Sequence, residues 1–166
     1  MRLSNRNKTP VYSFIYSLAG IIFILGIIAF VLEINKFDIF GKKAWVLLLV
    51  PTLLFVFLYW LGRPIFEYDS DGEALNFRNN HILYIFAKKN AKDEFPKYKL
   101  INFSVVNALV FKKLYIYISS KKSHVLILKY DISFLSKKQI KDLKFSLSKV
   151  MKLNKENEDQ DNTATD

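Results

Sequence analysis

Cysteine is absent from the 166 residues of the chain, which removes disulfide frameworks, thiolate nucleophiles and sulfur-based zinc sites from consideration. Histidine is scarce as well. His81 and His124 are the only two; they form no His-x-x-x-His pair and neither lies near a carboxylate in sequence, so surface or hydrogen-bonded histidines are expected rather than ligands. The five glycines, two of them inside the first apolar run, supply no phosphate-cradling loop, and no nucleophile-elbow sequence occurs. No catalytic residue, metal ligand or cofactor is therefore expected, and the chain reads as a non-enzyme.

Acidic residues are few across most of the chain. Residues 63–155 hold 19 Lys and Arg against 8 Asp and Glu, whereas residues 156–166 hold five acids and no base. A basic surface suits nucleic acid or anionic lipid. The choice between them depends on a second scarcity, that of charge in two long stretches.

Residues 11–34 and 44–61 are almost free of charge and solidly apolar. At 1.5 Å per residue the first run measures about 36 Å and the second about 27 Å, against a hydrocarbon core of about 30 Å. Each can cross a bilayer, the first with tilt. The basic tail at residues 1–10 resembles the start of a secretory signal, but a cleavable apolar core of about 7 to 15 residues is shorter than this run. An uncleaved span is expected. The nine residues between the runs are too few for a domain, so the spans form an antiparallel hairpin over residues 11–62. Trp45, Tyr59 and Trp60 lie where interfacial anchors belong. Ser13, Ser17 and Gly20 give the first span a small-residue strip for close helix packing, with the second span as its simplest partner. Pro51 is read as a packed bend, and Glu33 and Asp38 lie at or beyond the span boundary. The bases of the link and of the N-terminal tail balance; the bases after residue 62 then favour both termini and the soluble domain in the cytoplasm, at the inner membrane. Membrane lipids with anionic headgroups are the expected partners, and nucleic acid is not.

After Gly62 the pattern changes to alternation. Residues 65–69, 74–79, 81–87, 101–105, 114–118 and 125–130 read as strands, with a turn at Ser70, Asp71 and Gly72. The acids around Gly72 read as a solvated hairpin turn rather than a calcium loop. Residues 88–97 read as a polar connection, and Lys121, Lys122 and Ser123 as a turn. The nearly continuous apolar run at 125–130 predicts cover on both faces. Ser136 with Gln139 forms a capping box that opens a helix, and Ile140, Leu143, Leu147, Val150 and Met151 fall on one face of it. Residues 63–153 make one α+β, mainly antiparallel β domain, and residues 154–166 a disordered acidic tail.

Three stretches carry a resemblance: Tyr68-Asp69-Ser70-Asp71-Gly72, the run from Glu94 through Pro96 to Ile101, and Leu135-Ser136. With the hairpin ahead of them, they make the chain resemble bacterial two-span membrane proteins that carry a C-terminal pleckstrin-homology-like (bPH) domain. The resemblance implies a PH-like barrel capped by the C-terminal helix. It also implies roles of the kind proposed for such proteins, membrane-side scaffolds or stress and immunity factors. The phosphoinositide-binding use of the eukaryotic fold is not carried over, because no phosphate-binding motif matches residue by residue.

On the final helix Lys138, Lys141, Lys149 and Lys152 fall opposite the apolar face, around Phe145. An aromatic side chain ringed by bases suits contact with a membrane or a partner; a solvated helix face is the plainer reading. The function expected is a non-catalytic inner-membrane scaffold, accessory subunit or regulator whose cytoplasmic domain binds a protein partner, in a membrane complex, or the membrane face. The other reading is a self-protection (immunity) or stress-resistance protein that acts on the bilayer without a protein partner.

Overall fold

The two charge-poor runs are helical. In the computed structural model, which describes residues 1–37, 39–82, 91–108, 111–120 and 124–163, they form α1 (Thr9–Leu32) and α2 (Val46–Trp60). Pro10 stands in the first turn of α1, where its missing N–H costs no helical hydrogen bond. The helix runs on as a π-helical turn, Glu33–Phe37. Glu33 is buried, and its carboxylate accepts a hydrogen bond from the Phe40 backbone N–H across the link. Asp38 lies outside the described residues.

The helices pack through Tyr12, Tyr16 and Ala19 of α1, which are buried. The Tyr16 hydroxyl donates to the Leu58 carbonyl at 3.1 Å, and the Phe23 and Phe55 rings lie 5.9 Å apart. A Cβ at Gly26 would come within 2.7 Å of both the Leu47 carbonyl oxygen and Pro51 Cγ. Only glycine admits that approach. Leu47 O is the carbonyl whose helical donor Pro51 lacks, so the proline bend sits against the one residue of α1 that leaves room for it. The strip Ser13, Ser17 and Gly20 does not meet the second helix. Ser13 and Ser17 are exposed, and a side chain at Gly20 would meet open space. The contact face lies one residue away on the helix wheel, about 100° round, where the Tyr16 hydroxyl finds an acceptor and Gly26 meets Pro51.

A second compact unit combines Met1–Asn7 with Arg63–Asp166, and the hairpin unit is Lys8–Gly62. The strands are β1 (Arg2–Ser4), β2 (Ile65–Asp69), β3 (Ala74–Asn80), β4 (Ala91–Pro96), β5 (Leu100–Ala108), β6 (Phe111–Ser120) and β7 (His124–Asp131). They make two antiparallel sheets, β1-β2-β3-β4 and β5-β6-β7. The last element is α3 (Lys137–Thr163). Its capping box is formed in both directions: Gln139 N donates to Ser136 Oγ at 3.2 Å, and Ser136 N donates to Gln139 Oε1 at 3.0 Å. Gly72, with φ of +71°, closes the turn from β2 to β3.

One core joins both sheets to the helix. Phe66 and Tyr68 of β2, Leu75 and Phe77 of β3, Leu114 and Ile116 of β6, and Leu143 and Leu147 of α3 are all buried in it. Tyr130 of β7 stacks on Phe77 at 4.9 Å between ring centroids. Apolar side chains at every second strand position and every third or fourth helix position meet there, as the two periodicities require.

Several features differ from the sequence pattern. The N-terminal stretch read as a tail contains β1, paired with β2 from Arg2↔Asp69 to Ser4↔Glu67. Three residues with Leu3 as the sole buried side chain are too short a run to show alternation. Within the stretch read as a polar connection, Ala91–Pro96 is β4, an edge strand with Phe95 as its single buried side chain. Of the strand expected at 81–87, His81 and Ile82 are not in a strand, and the remainder, with Lys88 and Lys89, lies outside the described residues, as does the turn at 121–123. The cover expected over both faces of β7 is missing at its first half, where Val125, Leu126 and Ile127 are 45%, 44% and 54% exposed. The acidic segment expected to be disordered from residue 154 continues α3 to Thr163. An i,i+4 ion pair, Lys152 to Glu156 at 3.6 Å, supports that extension.

Candidate functional site

The exposed surface of the sheet unit offers three places for a partner. The first is the outward face of α3. Phe145 is 74% exposed, and Lys138, Lys141, Lys149 and Lys152, all exposed, stand seven and four residues before and after it. That spacing gathers the five side chains on one helix face, opposite the buried Ile140, Leu143, Leu147 and Val150. Lys152 is drawn toward Glu156.

The second is a groove of about 720 Å³ between α3 and the short turn Lys97–Lys99, lined in part by Lys97, Tyr98, Ser146, Lys149 and Leu153. Asn154 fixes its floor by donating from Nδ2 to Lys97 O at 2.8 Å and to Leu100 O at 3.0 Å. Tyr98 stands 71% exposed at the rim. No pattern in the sequence singles out Tyr98, because its place depends on the turn lying against the helix.

The third is the free edge of β7. Among the described residues no strand pairs with β7 on the side away from β6. Side chains there alternate in register, Ile118↔Leu126 and Ile116↔Leu128 toward the core, Tyr117↔Ile127 and Ser119↔Val125 away from it. Lys129, whose charge could guard the edge, instead lies over the Tyr115 ring with Nζ 5.7 Å from the centroid. An unpaired backbone edge flanked by aliphatic side chains is chemically suited to an added strand.

Two buried asparagines hold the segment from which the sheet unit begins after the hairpin. Asn79 donates from Nδ2 to Arg63 O, Ile65 O and Asp131 O at 3.3, 3.0 and 3.2 Å, and its Oδ1 accepts from Asp131 N at 2.9 Å. Asn5 donates to Pro64 O at 2.7 Å and accepts from Phe66 N at 2.8 Å. Trp45, Tyr59 and Trp60 stand at the two ends of α2, more than one-third exposed. Among the described residues no group of three or more His, Asp or Glu side chains is arranged to hold a metal ion.

Burial raises the pKa of two core phenols. The Tyr130 hydroxyl donates to Asp93 Oδ2 at 2.8 Å; burial first, then that bond and the Asp93 charge, push its pKa well above the ordinary value, with Arg63 opposing. Tyr68 is raised by burial too, against the lowering effect of its hydrogen bonds to Ser146 and Ser70. In the turn beyond β2, Asp71 is held below the usual carboxylate range by its hydrogen bond to the Met1 ammonium. Phenols whose folded pKa lies above the unfolded value of about 10 contribute stability that is complete below pH 10 and lost as pH rises past it. Alkaline unfolding followed by circular dichroism in detergent is therefore expected to begin near pH 10. Tyr130→Phe should flatten that dependence, and an unchanged slope would remove Tyr130 from it.

No family model matches this chain, and no curated protein or solved structure matches it.

Proposed function

We propose that the protein is a non-catalytic inner-membrane scaffold, accessory subunit or regulator. In this reading α1 and α2 cross the bilayer, and the sheet unit is a PH-like domain on the cytoplasmic side that binds a protein partner. Support for the membrane comes from the helix surfaces. The stretches Arg6–Phe37 and Gly41–Trp60 are long and apolar enough to span, and only 17% and 11% of their most apolar windows are buried. A helix apolar on every side and exposed along its length suits hydrocarbon better than water. Because β1 precedes the hairpin and β2 follows it, the chain leaves one folded unit into α1 and returns to it from α2, which favours both termini on the same side. The four-plus-three strand arrangement followed by α3 supports the PH-like layout, in which seven strands are usual and β1 would be the first.

The observation that carries partner binding is the uncovered edge of β7 with Val125, Leu126 and Ile127 exposed on both faces. The partner it suits is a protein that contributes an extended, aliphatic strand. A photo-crosslinking residue at Ile127, introduced into the full chain in its native host, should give a discrete protein adduct. The same residue at Asn102, exposed on β5, should give none. Lipid adducts alone at both positions would favour the second reading, a self-protection or stress-resistance protein acting on the bilayer, for which the exposed Phe145 among its lysines speaks.

A further inference from the structure

We infer that one end of the sheet unit, carrying Arg63, Lys112 and Lys113, is a contact surface for anionic phospholipid headgroups. The inference rests on the membrane reading of α1 and α2, and it concerns a surface distinct from the helix face around Phe145 and from the β7 edge.

The register of the sheets gathers these bases. Lys113 is paired with Asp131, the last residue of β7. Ile132 N donates to Lys112 O at 2.9 Å, and Lys112 N donates to Ser133 Oγ at 3.0 Å. Arg63 N donates to Asp131 Oδ2 at 3.3 Å, and Arg63 O accepts from Asn79. The start of β6, the end of β7 and the approach to β2 thus meet at one corner. Two carboxylates stand near it, Asp131, which accepts from Arg63 N, and Asp93, which accepts from the Tyr130 hydroxyl; both keep their charge, so the three bases and two acids sum to +1. Among the described residues neither Lys112 nor Lys113 enters an ion pair; Arg63 Nη1 is buried without an acceptor, so the two lysines are the bases that can reach a headgroup and Arg63 adds its charge from behind them. At the other end of β2 stand Asp69, Asp71 and Glu73 around the Gly72 turn, where Arg2 pairs with Asp69 and Asp71 and the Met1 ammonium with Asp71, so these three acids and two cations sum to −1.

Chain length limits how far this corner can stand from the end of α2. Between Trp60, the last residue of α2, and Arg63 there are two residues, so their Cα atoms can be no more than about 10 Å apart. If α2 ends at the headgroups, Arg63 and the corner it belongs to are held beside them. Along β2 the acidic turn begins about 13 Å from Ile65. An anionic leaflet beside that corner attracts its lysines within a screening length of about 8 to 10 Å. Each lysine near such a surface shifts the contact equilibrium about fivefold.

The absence of native cysteine makes the test direct. A fluorophore is placed on Asn107→Cys, whose position is paired with Lys112, or on Asn102→Cys, five residues back along the same strand. The full chain is reconstituted in nanodiscs of phosphatidylcholine with or without phosphatidylglycerol, and quenching by a headgroup-attached nitroxide is recorded. Quenching at Asn107→Cys should exceed that at Asn102→Cys and should rise severalfold with phosphatidylglycerol. Lys112→Glu with Lys113→Glu, or the milder Lys112→Gln with Lys113→Gln should folding suffer, should return it to the phosphatidylcholine level. Quenching at Asn107→Cys that ignores both lipid charge and these substitutions would overturn the proposal while leaving the membrane reading intact. Failure of chain-brominated lipids to quench Trp45 and Trp60 would overturn the membrane reading itself, and this proposal with it.

Discussion

Asn79→Leu should destabilise the sheet unit by about 3 to 5 kcal/mol, because it strands a buried donor and takes a shared donor from three carbonyls at once. The side chain is fully buried and bridges the two sheets where they are otherwise unpaired, joining β3 to the end of β7 and to the backbone that leads into β2. Leucine is close to it in volume, so the loss would measure polar satisfaction and not a cavity. Asn79→Asp keeps the acceptor for Asp131 N but supplies no amide donor and sets a second carboxylate beside Asp131, so it should be no better. For a unit of roughly this size the leucine variant should melt more than about 10 °C below wild type. Asn76→Ala, on the same strand but only partly buried, should stay within about 0.5 kcal/mol. Melting of the full chain in detergent is the measurement, and a leucine variant within about 2 °C of wild type would mean that the sheets are held together without this bridge.

What could be read from the sequence follows from how each element carries its signal. The two spans and α3 repeat a pattern over many residues, and the capping box names its own first turn, so these elements stood out. Strands β2, β3, β5 and β6 alternate, and β7 is a short continuous apolar run, clearly enough to be found within a few residues of their ends. β1 and β4 offer one large buried side chain each, Leu3 and Phe95, and the pairing of β1 is set by partners 63 to 67 residues away in the chain. The exposure of β7 was misread because continuous apolar sequence reports what a strand prefers, while cover depends on neighbours. The same limit applied to the candidate site. Helical periodicity by itself puts Phe145 and its four lysines on one face, whereas the places of Tyr98, Asn5 and Asn79, and the corner made by Arg63, Lys112 and Lys113, are set by tertiary contact. The small-residue strip was one residue out of phase with the face that meets α2, because the Gly26 and Pro51 contact and the Tyr16 hydrogen bond, none of them part of that strip, set the rotation.

The largest effect of all should be seen in sidedness, which is all or none. Lys42 in the link and Ser148 on α3 are both exposed, and cysteine at either would be the sole thiol in the chain. If the helices cross the bilayer as a hairpin between β1 and β2, the two positions lie on opposite sides, and a membrane-impermeant maleimide applied to intact spheroplasts should label Lys42→Cys fully and leave Ser148→Cys untouched until the membrane is opened. Labelling of Ser148→Cys alone in intact spheroplasts would reverse the orientation. Equal labelling of both, before and after permeabilisation, would contradict the two-span hairpin itself.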